Sequence, residues 1–306
     1  MKIAYISGVK FGYDLLKEIL EKNFEISIVF SYDDSKNSVY SDYTTFEPLC
    51  KKFGIQNIKV NNINDLENIE LLKKIKPDLI LVMGWSQLLK EPIIQTAKLG
   101  VIGSHPTELP KFRGRAPIPW TILKNLKHSA LTFFLIEKGI DDGDILNQKK
   151  FKISSNDDSQ SLYKKITYLG KTMIIETIQN FQNGNVDKIP QDESKFIEYW
   201  PKRTPADGEI NWFNTAKEIS TLIRATTFPY PGAYTFFNGS ILKIFKASFT
   251  DANVSKPGII LDVKKNIVTV GTNYGSISFE NVKFNSNDLV SVSKIFSKDD
   301  IGKKLG

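Results

Sequence analysis

Cysteine occurs once in the 306 residues, at Cys50, and histidine twice, at His105 and His128. One thiol excludes an internal disulfide, and so few sulfur and imidazole ligands give no metal framework. Long hydrophobic runs are missing too. The most apolar stretch, LILVMGW at residues 79–85, falls far short of the roughly 20 residues a membrane helix needs. The start, MKIAYISGVKFG, enters an apolar strand directly and offers no cleavable leader, so a cytoplasmic protein is expected. The first turn, SGVKFGYD, carries Gly8 and Gly12 but not the G-x-G-x-x-G spacing that lets a backbone hug a pyrophosphate, which argues against a nicotinamide cofactor. Blocks of five like charges are absent as well.

What is present suits a packed enzyme-sized fold. Hydrophobic residues make up 41% of the chain and charged residues 25%, enough apolar surface for a core. The net charge of +7 would attract phosphorylated molecules or RNA, although lysines that merely solvate helix faces give the same number.

Periodicity predicts strands at residues 2–7, 25–31, 78–84 and 99–104. Helices are predicted over 13–22, 64–76 and 92–98. In the second of these Leu66, Ile69, Leu72 and Ile75 form one stripe, and Pro77 ends it. Strands alternating with helices imply an α/β fold with an open, doubly wound, mostly parallel sheet. Further on, a helix is expected at 118–125, strands at 129–137 and 145–153, and a long helix at 159–183. Residues 184–207 lose periodicity and read as a linker. The remainder, after a helix at 215–225, is a series of short strands. An Asn-Gly pair at 238–239 between two strand-like runs is a hairpin signal.

The stretch GSHPTELPKFRGRAPIPW, residues 103–120, joins His105 to four prolines and to Arg113 and Arg115. It follows a strand, and strand ends point into the ligand crevice of a doubly wound sheet. A histidine there suits proton transfer at neutral pH. A lone histidine is more often structural, but prolines at 106, 110, 117 and 119 fix a defined loop shape around this one. The arginines offer forked donors for phosphate or carboxylate. A second loop, GIDDGDI, supplies Asp141, Asp142 and Asp144. Their spacing does not match a calcium loop. They are either an acidic turn or the source of a carboxylate that orients His105 from 36 positions away.

The motifs HPTELPKFRGRAPIPW, GIDDGDIL, PKRTPADGEINW and IRATTFPYPGAY resemble the folate-dependent formyltransferase family. That family includes methionyl-tRNA, glycinamide ribonucleotide and sugar formyltransferases. The resemblance covers nearly the whole chain. It implies a Rossmann-like formyltransferase domain over 1–183, a linker over 184–207 and a small OB-like β-barrel domain over 208–306. It implies a one-carbon group transferase that uses 10-formyltetrahydrofolate and no metal. His105 and Asp141 match the family's catalytic histidine and aspartate. The family asparagine two positions before the histidine is replaced by Gly103, so Ser104 or the Gly103 amide is expected to stand in for it. By the same resemblance Val82, Gly84, Trp85, Asp142 and Asp144 contact folate, although core packing accounts for Trp85 equally simply. Lys111, Arg113, Arg115 and Trp120 contact the acceptor. RGRAPIPW and PYPGAY resemble the sugar enzymes, which implies a nucleotide-linked amino sugar as acceptor in cell-surface polysaccharide synthesis. Initiator Met-tRNA is the alternative, and a catalytically impaired folate-binding homologue a second. A homodimer and no membrane partner are expected.

Overall fold

The computed structural model describes residues 1–253, 255–285 and 288–306. They divide into two compact units: Met1–Pro117 with Lys127–Ile153 and Tyr163–Pro201, and Ile118–Leu126 with Ser154–Leu162 and Lys202–Gly306.

The first unit begins with β1 (Ile3–Ile6), α1 (Lys10–Glu21), β2 (Ile28–Tyr32), α2 (Glu47–Lys52), β3 (Asn57–Val60), α3 (Leu66–Ile75), β4 (Leu79–Val82), α4 (Glu91–Ile94) and β5 (Gly100–His105). After β6 (Phe112–Gly114) come β7 (His128–Leu135), β8 (Ile145–Lys152), α6 (Ser159–Asn183) and β9 (Glu198–Trp200), while the short helix α5 (Pro117–Leu123) from Ile118 on and the first turn of α6 group with the second unit. Seven strands form one sheet in the order β3-β2-β1-β4-β5-β7-β8. The first five are parallel, while β7 and β8 add antiparallel. The strand order reverses between β1 and β4, and that reversal opens a crevice beyond their carboxyl ends.

The central strands IAYI, IVFSY and LILV are buried at every position, as expected of a parallel sheet covered on both faces. α1 lays Phe11, Leu15, Leu16, Ile19 and Leu20 inward at helical spacing. Each buried Leu or Ile of this kind contributes about 1.5–3 kcal/mol. α3 departs from its sequence stripe. Ile69 and Leu72 are buried, but Leu66 is 78% exposed because it stands at the first helical position, ahead of the turns that meet the sheet. Lys76 then leaves the helix in a left-handed conformation, and Pro77 follows. Sequence periodicity missed β3, whose residues are mostly half-buried and do not alternate.

Residues 184–201 group with the first unit. Within them β9 pairs in parallel with β6, and Phe112 stacks on Trp200 with ring centroids 4.7 Å apart.

The second unit holds α7 (Ala216–Thr226), β10 (Ala233–Phe237), β11 (Ser240–Ile244), β12 (Ser248–Thr250), β13 (Ile260–Lys264), β14 (Ile267–Gly271), β15 (Ser276–Phe279), β16 (Asn281–Phe284) and β17 (Val290–Ser291). Two four-stranded antiparallel sheets result, β10-β11-β16-β17 and β12-β15-β14-β13. Their core gathers Trp212, Ile219, Leu242, Ile244, Val268 and Phe279. Thr215 and Glu218 close a capping box at the start of α7. Asn238 and Gly239 form the two-residue loop between β10 and β11, both with positive φ, the backbone a type I′ hairpin demands. Among the described residues, no helix is long and apolar enough to cross a membrane.

Candidate active site

β5 ends at His105, beside the crevice strands. The side chain is 5% exposed, so the sheet holds the imidazole in place. In the antiparallel register Gly103 lies opposite Phe134, Ser104 opposite Phe133 and His105 opposite Thr132. The Thr132 hydroxyl donates to the Thr107 carbonyl at 2.7 Å, and Gln148 donates to Leu109 O and to Thr132 Oγ1. Thr107 in turn donates to Phe112 O at 2.6 Å. These bonds tie the proline loop after His105 to β7 and β8. They give its shape a cause beyond the prolines.

Asp141 arrives from the β7–β8 loop. Its Oδ2 stands 3.6 Å from His105 Nδ1 and accepts a hydrogen bond from Gly114 N at 2.9 Å. The 36-residue separation is closed because β5 and β7 are neighbours. Asp141 sits in the left-handed region at φ 53°, uncommon for a residue with a side chain. The loop around it is tight. A methyl group at Gly143 would lie 1.9 Å from Leu135 O, and Leu135 N donates to Asp144 O. His105 Nδ1 therefore faces a carboxylate, while His105 Nε2 is buried with no hydrogen-bond partner among the described residues. Facing an ionised carboxylate favours the tautomer protonated at Nδ1, which leaves the lone pair at Nε2 free to take a proton.

Among the described residues, two further buried polar atoms of the first unit lack a hydrogen-bond partner: Trp85 Nε1 and Asp142 Oδ1. Trp85 follows β4 and stacks on Tyr32, with centroids 3.8 Å apart, and Tyr32 stacks on Tyr40 at 4.4 Å. Gly84 is needed there, since its φ is 70° and a methyl group would meet Val9 Cγ2 at 2.6 Å. Val82 is buried in the sheet core, so only its backbone is available to a ligand. A buried orphan donor on Trp85 and a buried orphan acceptor on Asp142 are the chemistry that a flat heteroaromatic ring with amide-like edges would satisfy.

The expected acceptor residues divide. Lys111 pairs with Glu108 at 3.0 Å. Arg113 is 3% exposed and its fork is engaged: Glu193 accepts at 2.5 and 3.2 Å, and Gln191 Oε1 at 2.9 and 3.3 Å. Burial works against its charge, but Glu193 and Tyr199 together outweigh this and hold the guanidinium pKa above its usual value. The fork expected to meet an acceptor anion is thus bonded within the chain. An incoming anion would have to displace Glu193. Arg115 is exposed, and its backbone N–H donates to Trp200 O at 2.8 Å. Trp120 belongs to the second unit, where Arg203 lies 5.1 Å over its ring. Sequence reading missed Gln191 and Glu193, because both fall in the stretch without periodicity. The one available signal was a buried-side arginine in need of an acid.

Ser104, expected with the Gly103 amide as a stand-in for the family asparagine, lies on the other face of the strand from His105. Side chains alternate along a strand, so Ser104 points to the face of β5 opposite that of Gly103 and His105. On the Gly103 face a methyl group would meet Ile136 Cγ1 at 2.9 Å and Phe134 Cζ at 3.0 Å. Apolar side chains occupy the place an asparagine would need. Gly103→Asn is therefore expected to lower the melting temperature and leave turnover no higher, while Ser104→Ala keeps turnover within about twofold of wild type. Thermal melting and a formyl-transfer assay check both, and a gain in turnover from Gly103→Asn would refute the steric account.

The family described as Formyl transferase matches residues 1–178, and Formyl transferase, C-terminal domain, matches residues 202–299. A methionyl-tRNA formyltransferase of Alkaliphilus oremlandii is 31% identical over 95% of this chain and 94% of its own length. Among solved structures, HypX from Aquifex aeolicus in complex with tetrahydrofolic acid is similar at a TM-score of 0.70 and 19% identity, over 96% of this chain but only 46% of that one. WlaRD, a sugar 3N-formyl transferase in the presence of dTDP and 5-N-formyl-THF, is similar at a TM-score of 0.65 and 22% identity, over 94% of this chain and 99% of that one. At these identities the two structures speak for the fold alone.

Proposed function

The chain belongs to the folate-dependent formyltransferase family, and from that premise we propose that it moves a formyl group from 10-formyltetrahydrofolate to the primary amine of a nucleotide-linked amino sugar. Trp85 Nε1 and Asp142 Oδ1 would hold the pterin edge, since each is a buried atom awaiting a complementary partner. The folate supplies the formyl group. The chain's own residues manage the protons and the charge. His105 Nε2 would take the proton that the amine sheds as its nitrogen bonds to the formyl carbon, the imidazolium so formed would stabilise the negative charge on the formyl oxygen, and the same proton would pass to the departing folate nitrogen as its bond to the formyl carbon breaks, leaving the N-formylated acceptor, tetrahydrofolate and a neutral His105. Asp141, gripped by Gly114 N–H, keeps the ring in the required tautomer. Gly103 leaves no side-chain amide beside that oxygen, so His105 carries more of the stabilisation.

The observation that carries the acceptor reading is the loop after β2. Residues 33–46 hold three carboxylates, Asp33, Asp34 and Asp42, against one lysine, Lys36. The loop packs on the β1–α1 turn: Lys10 N donates to Asp42 O at 2.8 Å and Thr44 N to Gly8 O at 3.1 Å. This places the three carboxylates at the carboxyl ends of the strands beside the switch point; Asp34 is paired with Lys59 and Asp42 accepts from the Tyr163 hydroxyl, both at 2.8 Å, so the loop keeps a small negative charge that favours a small acceptor over a polyanionic RNA. WlaRD, of similar fold over nearly all of its length, acts on a sugar by its description.

A second reading, initiator Met-tRNA, is favoured by the full-length relative of that activity and by the net charge of +7. One assay separates them. Thymidine- and uridine-diphosphate-linked 3- and 4-amino-deoxyhexoses are tested beside charged initiator tRNA. Turnover of a nucleotide sugar and none of tRNA is expected, and the reverse overturns the sugar reading. With the sugar that turns over, Arg115→Ala should raise the acceptor KM by roughly tenfold with little change in kcat, because Arg115 is the loop arginine with an uncommitted fork. An unchanged KM would return it to the solvated surface.

A further inference from the structure

We infer that Gln191, in the aperiodic stretch after α6, is a positioning residue that sets the place of Asp141. The inference rests on His105 and Asp141 being the reacting pair. Asp141 has a left-handed backbone, a conformation that costs on the order of 1 kcal/mol or more and persists only where its surroundings impose it. Gln191 is the group that imposes it. Its Nε2 donates to Asp141 O and to Gly143 O, both at 2.8 Å. Its Oε1 accepts from Arg113 Nη2 at 2.9 Å and Nε at 3.3 Å. All the polar capacity of the amide except surplus lone pairs is thereby used, and in one orientation only. Turned over, the amide would set oxygen against two carbonyls and its N–H groups against a guanidinium.

Arg113 is the keystone between two grips on the same aspartate. It is anchored by Glu193 and lies 5.3 Å over the Phe196 ring. The next residue, Gly114, donates its N–H to Asp141 Oδ2. Arg113 therefore fixes the carboxylate of Asp141 through the chain and its backbone through Gln191. Ile189 adds a backbone bridge to Ile145, bonded in both directions at 2.8 and 3.0 Å, just beyond the same loop. Residues 189–193 thus clamp the aspartate loop to the proline loop. Asp141 Oδ2 stands 3.6 Å from His105 Nδ1, so a small shift decides whether the two groups meet. Misplacement by about 1 Å can cost on the order of 100-fold in rate.

The test is a mutant cycle on the pure protein, with the thymidine-diphosphate-linked amino-deoxyhexose or tRNA acceptor that the wild type turns over. Gln191→Met keeps length and loses both ends of the bracket. Gln191→Glu keeps the acceptor toward Arg113 and loses both donors. Each is expected to lower kcat by about 10- to 100-fold with KM for both substrates within roughly threefold of wild type. In an Asp141→Asn background the same changes should cost less than about twofold, because a residue that acts through Asp141 has nothing left to position. Equal losses in both backgrounds, or a Gln191→Glu variant of wild-type kcat, overturn the inference. If Asp141→Asn alone retains wild-type kcat, the reacting pair itself is refuted, and that is visible before Gln191 is changed. A second measurement needs no acceptor. Imidazole ¹⁵N NMR, simplified by there being only two histidines, reports which His105 nitrogen is protonated. Gln191→Met in a folded protein should reduce the Nδ1–H form, and an unchanged tautomer balance counts against the bracket.

Discussion

His105→Ala lowers kcat by about 100-fold or more while the affinity for a folate donor stays within a few-fold of wild type, which is the expected result for a group that handles a proton in the reaction. The expectation follows from the state of Nε2. It is buried, lacks a partner among the described residues and sits on a ring whose other nitrogen faces Asp141. A histidine kept for packing would normally have both nitrogens satisfied. The loss should be larger than for a protein with an asparagine at position 103, because Gly103 leaves the imidazolium as the main side-chain stabiliser of the formyl oxygen. His128 serves as the control. It is exposed at the start of β7, and His128→Ala should be silent. Steady-state kinetics with tight-binding folate titration check the split. Retention of most of the turnover by His105→Ala would remove it from the chemistry.

Asp141→Asn should lower kcat by on the order of 10²–10⁴-fold, the upper figure being that of the corresponding change in a protease triad. The substitution is nearly isosteric. The asparagine oxygen can still accept from Gly114 N, so the loop should fold. What changes is the charge beside His105 Nδ1. The oxygen that accepts from Gly114 N is also the one 3.6 Å from the ring, so an asparagine that keeps the Gly114 bond still turns an oxygen to Nδ1 but no longer stabilises the imidazolium. The ring then takes the amine's proton less readily. The deficit should appear in kcat rather than in either KM. Wild-type kcat in Asp141→Asn would mean that the contact is a structural ion pair alone. Glu193 offers a comparison, since its carboxyl is held below the usual range by Arg113.

Much of this protein was legible from residue types and spacing. The buried runs IAYI and LILV, the amphipathic helix that became α1 and the Asn-Gly hairpin follow from rules that act within about ten residues: side-chain alternation, helical periodicity and the backbone freedom of glycine. The pairing of His105 with Asp141 was legible only through a family resemblance, since nothing local connects positions 36 apart. Leu66 shows the limit of periodicity even within a helix. It lies on the apolar stripe and points at solvent, because its place at the helix start is set by where the sheet ends.

The sequence alone determined which residues can do chemistry and which segments are strands or helices, because those properties are local. The tertiary structure decided which of them meet. The pairing of β5 with β7 brought Asp141 to His105, and the pairing of β6 with β9 brought Gln191 and Glu193 to Arg113. Arg113 is bonded to Glu193 and Gln191, and Gln191, in the stretch without periodicity, donates to the backbone of the aspartate loop. The physical reason is that a buried charge or amide must find a partner, and its partner is whatever group the folded chain delivers within about 3 Å, however far away it lies in sequence.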